Sequence, residues 1–397
     1  MRIAYYLVDH TAIGGIQTHL VTLATAVSQL GHQADVILPE TAVLDPLVPQ
    51  LEAGGVTVHR LPPSPVGRRA RLAYFAHLVR LLRHIQPEIM HIQQSIPGYD
   101  QKAPLAARLA HVPATVITEH DFPRPQGRLR ARLMPLLVHL VDGVITVSNF
   151  SRQLLANDPY PLDKISVVYN GINLEAFEFE ETTIAKSVQT LRVLNAEQTN
   201  KSGSKTLRVP VTTQPHHFTI GYLGRLEPHK GIDDLLHAAA LLRPVQPDLH
   251  VNISGNGPER PSLEALAQEL GIADHVHFLG RVPDAADFLR QLDIFVLPSR
   301  FEAFGLVAAE AMAVGTPVIV SDAGGLPEVV DNGKTGLVVP VDDPPALAQA
   351  ISQLADNPSL RYQLVQSGNT RATNCFSAGR MAQDTVRLYQ NIFEKNH

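Results

Sequence analysis

The 397-residue chain has one cysteine, Cys375, no tryptophan and five methionines. One thiol cannot build a disulfide framework or a cysteine zinc site, so a reducing compartment is expected. No apolar run reaches the ~20 residues that cross a bilayer. The first apolar stretch, from Ile3 to Val8, is closed by Asp9 and is too short for a signal-peptide core. A cytoplasmic protein is the expectation. Positive charge is not in excess: 33 Lys and Arg stand against 38 Asp and Glu, a net of −5. That excludes an overall basic nucleic-acid binder. What remains is ordinary globular composition, 45% hydrophobic and 18% charged, at a length suited to two or three domains.

Charge is unevenly placed. Residues 1–175 hold 15 basic and 13 acidic side chains, the remainder 18 and 25, and residues 66–132 alone hold 11 against 4. Two units with different partners are implied. Short apolar runs recur at Ile3–Val8, Ala34–Pro39, Val56–Leu61, Glu88–Gln93, Thr115–Glu119, Val144–Val147 and Ile165–Tyr169. Helical stretches such as Gln17–Leu30, Arg68–His84 and Leu129–Val141 lie between them. Continuously apolar strands alternating with helices predict a parallel sheet covered on both faces. Residues 178–215 are polar and aperiodic and read as a linker or insertion. Alternation resumes with strands at Phe218–Gly224, Val251–Ser254, Val276–Leu279, Ile294–Leu297, Pro317–Ser321 and Leu337–Val339, and a last helix covers Ala378–Phe393. The expected fold is α/β: two Rossmann-like domains facing a deep cleft, with ligands beyond the carboxyl ends of the strands.

Several strand ends carry chemistry. Gly14-Gly15 opens a helix and lets backbone N–H groups approach an anion, although a plain tight turn also fits. Gly224-Arg225-Leu226-Glu227-Pro228-His229-Lys230-Gly231 sets two cations in a strand-to-helix loop, suited to a diphosphate or to solvent. Ser254-Gly255-Asn256-Gly257-Pro258 is either a close backbone approach to a nucleotide or a structural turn. In Leu297–Pro317, Glu302 stands at a helix mouth. Glu310 lies alone in Leu306-Val307-Ala308-Ala309-Glu310-Ala311-Met312, so it should face a cleft or meet a specific donor, because burying a lone carboxylate is costly. A sugar diol offers two such donors. Thr118-Glu119-His120-Asp121 closes a first-domain strand with an imidazole able to donate a hydrogen bond or move a proton. The other histidines, including His216-His217 and His275/His277, show no metal-ligand spacing, and no Asp-x-Asp motif follows a strand. The dinucleotide fingerprint is absent, which argues against a nicotinamide dehydrogenase.

Taken in order with Val147-Ser148-Asn149, Asn170-Gly171-Ile172, Phe278-Leu279-Gly280-Arg281 and Ala323-Gly324-Gly325-Leu326-Pro327-Glu328, these motifs resemble glycosyltransferase family 4. Those are retaining enzymes of the GT-B fold, the "glycosyl transferases group 1" type. The resemblance covers nearly the whole chain outside 178–215, and its most specific piece is the Glu302–Glu310 segment. It departs at Asn173, where the family often has Asp.

The resemblance implies an acceptor-side domain over 1–175, a linker over 176–216 and a nucleotide-sugar-binding domain over 217–375, with the helix of about 376–397 returning to the first domain. It implies a hexosyltransferase using a UDP- or GDP-type sugar donor, with no cofactor and no metal. Arg225 and Lys230 would hold the diphosphate and Glu310 the ribose hydroxyls. Glu302 would contact the transferred sugar, with Phe304, Gly305 and Leu306 offering backbone groups. Arg281 and Val282 would lie beside the base. Gly14 and Gly15 would close over the phosphates, and His120 would sit by the donor sugar. The catalytic set is then His120, Arg225, Lys230 and Glu302. The alternative is a non-catalytic sugar-nucleotide-binding subunit on the same scaffold. The acceptor is open, lipid-linked or a small hydroxylated molecule. Basic residues mixed with apolar ones at Arg68–Arg83 and Arg124–Arg132 make the inner membrane surface a candidate partner, against the plain reading of helices with Arg on their wet side.

Overall fold

In the computed structural model the described residues are 1–8, 14–62, 68–94, 102–120, 139–155, 161–179 and 217–396. They divide into two units. The first is Met1–Asn173 with Cys375–His397, the second Leu174–Asn374. The turn after Asn173 belongs to the second unit: the Glu178 carbonyl accepts from Arg290, and the Phe179 ring packs over Gly315. The rest of the expected linker, and most of the expected helix Leu129–Val141, lie outside the described residues.

In unit 1 the apolar runs become seven parallel strands: β1 (Arg2–Leu7), β2 (Gln33–Pro39), β3 (Thr57–Leu61), β4 (Ile89–Gln94), β5 (Ala114–Glu119), β6 (Gly143–Thr146) and β7 (Ile165–Val167). Their order is β3-β2-β1-β4-β5-β6-β7. The intervening helices are α1 (Gly15–Gln29), α2 (Leu47–Ala53), α3 (Arg68–Ile85), α4 (Lys102–Leu109) and α5 (Asn149–Leu155). Helices on both faces leave the central strands without a wet side. Every residue of β4 and β5 is buried, whereas the edge strand β3 is largely half-exposed. Because side chains alternate across a strand, Ile89 joins Tyr5, Leu20, Val116 and Tyr389 in one core, while Met90 and Ile92 join Tyr6, Leu78, Leu82 and Ala106 in the other.

The C-terminal helix, Ala378–Asn396, completes the first of these cores. Its docking explains the Asn170-Gly171-Ile172 motif. Ile172 donates to the Phe376 carbonyl at 2.7 Å and accepts from Ala378 at 2.9 Å. A Cβ at position 171 would strike the Ala378 Cα and the Ser377 carbonyl oxygen, each 2.8 Å away. Tyr389, fully buried, then lies over the sheet.

Unit 2 repeats the plan with β8 (Phe218–Leu223), β9 (Leu249–Ser254), β10 (Val276–Gly280), β11 (Ile294–Leu297), β12 (Val318–Ser321) and β13 (Leu337–Val339), all parallel in the order β10-β9-β8-β11-β12-β13. Its helices are α6 (Ile232–Leu242), α7 (Arg260–Glu269), α8 (Ala285–Gln291), α9 (Leu306–Val314), α10 (Leu326–Val329), α11 (Pro344–Asp356) and α12 (Pro358–Cys375). Each sheet reverses its strand order once, between β1 and β4 in unit 1 and between β8 and β11 in unit 2. In doubly wound sheets the crevice for ligands opens at that reversal, beyond the carboxyl ends of the strands.

Candidate functional site

At the reversal in unit 2, β8 runs out into Gly224–Gly231 and β11 into Pro298–Gly305. Both loops are held by backbone. Gly224 donates to Ser254 and Leu226 to Asn256, each at 3.0 Å. Gly255, at φ 137°, must be glycine, since a methyl there would collide with the Gly224 carbonyl. Gly255 thus serves the packing of one strand-end loop on the next. Across the reversal, Arg300 and Phe301 donate their N–H groups to the His229 carbonyl.

This places Lys230 and Glu302, 72 residues apart in sequence, against each other: Lys230 Nζ donates to Glu302 Oε2 at 2.8 Å. Each side chain is 18% exposed. Ser299 Oγ donates to the same carboxylate oxygen at 3.3 Å, and the Glu302 carbonyl accepts from Gly325 at 2.8 Å. The ammonium keeps two further donor positions. Arg225 is mostly exposed and paired with Glu227. Its carbonyl accepts from the buried Tyr222 hydroxyl at 2.8 Å. Arg281 is exposed and Val282 half-buried, just past the left-handed Gly280 that ends β10.

After Glu302 the chain enters α9 through Gly305 (φ 95°), where any side chain would strike Leu326. The first N–H groups of a helix have no intrahelical acceptor and carry partial positive charge. Along α9 only Leu306, Val307 and Glu310 escape full burial, which puts Glu310 one turn along from the helix opening on the same face. Among the described residues the Glu310 carboxyl makes no hydrogen bond or ion pair, and burial alone pushes it up to about 7. Phe304 is buried.

Arg300 and its carboxylates were not read from the sequence as part of the site. The Arg300 guanidinium meets Asp233 with two bonds of 2.7 and 2.8 Å, Asp234 at 2.9 Å and the Pro228 carbonyl at 3.0 Å, and also pairs with Asp342. It thereby ties the Glu302 loop to the Lys230 turn. Burial, with Asp233 and Asp342 nearby, pushes Asp234 up to about 6 against the pull of Arg300. The signal was present as an acidic pair in the first turn of α6 and an Arg at the end of β11.

In unit 1 the end of β5 carries His120. Gly14 caps α1 with its N–H on Gln17 Oε1 at 2.9 Å, Gly15 is the first helical residue, and one turn on His19 sets its ring edge-on to His120 at 4.5 Å. His120 Nε2 bonds Gln93 Oε1 at 2.7 Å. Behind it, Gln93 Nε2 lies 3.2 Å from His91 Nε2, which also meets Thr118 Oγ1 at 2.7 Å, and His91 Nδ1 meets Tyr389 Oη at 2.6 Å. All these groups are buried. Burial lowers His19 to about 4, His91 to about 3 and His120 well below the usual imidazole value, with the neighbouring histidines adding to the shift of the last two. These three imidazoles are therefore uncharged at neutral pH, while Glu119, the last residue of β5, is buried with its Oε1 accepting from Gln94 Nε2 at 2.8 Å. Asp121 lies outside the described residues.

Unit 2 also gathers histidines that spacing did not connect. His217, His275 and His277 surround His250, whose Nδ1 lies 3.1 Å from His277 Nε2. Among the described residues no group of three or more His, Cys, Asp or Glu is arranged to hold a metal ion. On α3, Leu78, Leu82 and Ile85 are buried while Arg69, Arg71, Arg80 and Leu72 are exposed. No described helix is long and apolar enough to cross a membrane. The second basic group, Arg124 to Arg132, lies outside the described residues.

Two doubly wound parallel sheets, the second with its charged groups gathered at the strand reversal, define an α/β protein of the GT-B fold. The model for glycosyl transferases group 1 matches residues 205–371, and that for Glycosyltransferase Family 4 matches residues 13–176. The D-inositol 3-phosphate glycosyltransferase of Streptomyces coelicolor is 30% identical over 410 residues, 95% of this chain and 86% of its own. The Streptomyces avermitilis protein of the same name is 31% identical over 293 residues, 71% of this chain and 58% of its own. Among solved structures, Anabaena HepE in complex with UDP superposes with a TM-score of 0.77 at 21% identity, over 98% of this chain and all of its own. Sucrose-phosphate synthase from Thermosynechococcus elongatus gives 0.74 at 22% identity over the whole of both chains. The chain belongs to the group 1, family 4 glycosyltransferases.

Proposed function

We propose that this glycosyltransferase moves a sugar from a nucleoside diphosphate donor, UDP-linked in the first instance, to an acceptor hydroxyl with retention and without a metal ion. The observation that carries the reading is the triad at the reversal of the second sheet: Lys230 paired with Glu302, and Glu310 without a partner one helical turn beyond. Lys230, with Arg225 and the opening of α9, supplies positive charge where a diphosphate leaving group becomes negative. One preorganised contact of that kind contributes roughly 3–4 kcal/mol to the transition state. Glu310 offers a carboxylate to two ribose hydroxyls, which would repay its desolvation. Glu302 and the N–H groups of Phe304, Gly305 and Leu306 serve the transferred sugar, and Arg281 and Val282 the base. In unit 1, Gly15 serves the phosphates and His120, held neutral, a sugar hydroxyl.

UDP and UDP-glucose, each bound in structures of HepE, make a uridine donor the first to test. The name of the curated relatives adds a phosphorylated cyclitol to the acceptors. The exposed Arg69, Arg71 and Leu72 keep a lipid-linked acceptor at an anionic bilayer in the same panel. Incubation with UDP- and GDP-sugars and these acceptors, with and without EDTA, should release nucleoside diphosphate in step with a new α-linked product. Release abolished by EDTA would overturn the metal-free step, and an inverted product the retaining one.

A further inference from the structure

The buried polar chain behind His120 has a direction. An amide oxygen only accepts and an amide nitrogen only donates. With Gln93 Oε1 on His120 Nε2 and Gln93 Nε2 on His91 Nε2, His120 must carry its proton on Nε2, and His91 must present a bare Nε2. Neutral His91 then bears its proton on Nδ1 and donates it to Tyr389 Oη, while Thr118 donates its hydroxyl proton to the shared Nε2. The opposite arrangement is also self-consistent. If Tyr389 donates to His91 Nδ1, His91 donates from Nε2, Gln93 must turn over, and its amide then donates to His120 Nε2, which moves the His120 proton to Nδ1. The chain therefore has two states, and intermediate ones leave a buried donor facing a donor or an acceptor facing an acceptor.

We infer that Tyr389, His91 and Gln93 are positioning residues that set which ring nitrogen of His120 carries the proton, so that the C-terminal helix, 298 residues from His91 in sequence, governs what His120 can offer a sugar hydroxyl. This rests on the assignment of His120 to the donor sugar. In the state the structure shows, His120 Nε2–H is committed to Gln93, which leaves Nδ1 bare and able to accept from a sugar hydroxyl. In the other state Nδ1 donates. A tautomer error at such an imidazole leaves geometry intact and still costs activity. Tyr5, whose hydroxyl is buried beside Tyr389 without a bond of normal geometry, closes the chain in the core.

The test is Tyr389→Phe, Gln93→Leu and the double variant in the full chain, read in two ways. Long-range nitrogen–proton NMR of the imidazoles reports the protonated ring nitrogen of His120 without any turnover. Tyr389→Phe leaves the His91 Nδ1 proton with no acceptor, so the His120 proton should move from Nε2 to Nδ1. In kinetics, Tyr389→Phe should lower kcat by roughly tenfold to a hundredfold with KM for the donor little changed. That loss should vanish in the Gln93→Leu background, because among the described residues Gln93 links His91 to His120. An unchanged His120 tautomer in Tyr389→Phe, or losses that simply multiply in the double variant, would overturn the inference and leave Tyr389 as a packing residue. An altered tautomer with unchanged kcat would instead overturn the assignment of His120 to the sugar.

Discussion

At the ends of β4 and β5, unit 1 sets imidazoles that burial keeps neutral, amides, and one buried carboxylate, Glu119, bonded to Gln94. At the ends of β8 and β11, unit 2 sets an ammonium, a guanidinium and carboxylates, partly open and largely paired. The two sheets follow one winding rule, and among the described residues the imidazoles of the first contrast with the charged pairs of the second. Neutral buried groups are directional and cost little when they meet a hydroxyl. Charges at a half-open site attract an anion and stabilise charge that develops on it. One scaffold used twice thus carries two different chemistries, hydrogen bonding in unit 1 and charge pairing in unit 2, and the proposed transfer from a sugar diphosphate would use both.

Removing the charge should have the largest effect. Lys230→Ala should lower turnover by roughly 10²–10³-fold while a thermal melt stays near that of the parent, since the lysine is paired at a half-open position. Turnover near wild type would show that the charged half is not where the diphosphate is held.

Acid should separate the halves next. His19 and His91 are held below the value they have in the unfolded chain, so between about pH 6.5 and 4 the unfolded state binds protons that the folded state refuses, and unit 1 loses stability as pH falls. His19 alone accounts for up to ~3 kcal/mol over that span. Glu310 and Asp234 are shifted the other way. Their folded forms hold protons already released by the unfolded chain, so these two groups favour folding of unit 2 as pH falls from about 7 toward 4.5, opposed by the half-buried His250, which burial and its histidine neighbours hold below the usual imidazole value. Hydrogen exchange across this range should show β4 and β5 losing protection before β8 and β11, and the reverse order would refute the contrast.

Arg300→Met should act more mildly, lowering kcat/KM by roughly tenfold. It removes the ties between the Lys230 turn and the Glu302 loop, leaves Asp233 and Asp234 repelling one another, and touches no proposed reacting atom. A loss as large as that of Lys230→Ala would mean that Arg300 itself meets the substrate.

Much of this was legible in the sequence, for a physical reason. Strands buried on both faces must be apolar along their length, so Ile3–Val8 or Ile294–Leu297 announce themselves, and Glu310 stands out because nothing near it in sequence could pair with it. The bounds of α9 are marked in the sequence by Gly305 and Gly315, which bracket it. What could not be read are pairings made by strand order and chain return. Arg300 reaches Asp233 only because β11 lies beside β8, and Tyr389 reaches His91 only because the C-terminal helix packs on the first sheet. The polar run His91, Gln93, Gln94 inside an otherwise apolar strand was the visible sign that β4 carries more than packing.

The central claim is that the nucleotide is gripped by unit 2 through Glu310 and Lys230, with unit 1 acting on the sugar. Calorimetric titration of UDP into the parent, Glu310→Ala and His120→Ala tests it most directly. The prediction is a loss of affinity of roughly tenfold to a hundredfold for Glu310→Ala, weaker binding to the parent as pH drops below about 7 where Glu310 takes up its proton, and little change for His120→Ala. UDP affinity lost with His120 and kept without Glu310 would contradict it.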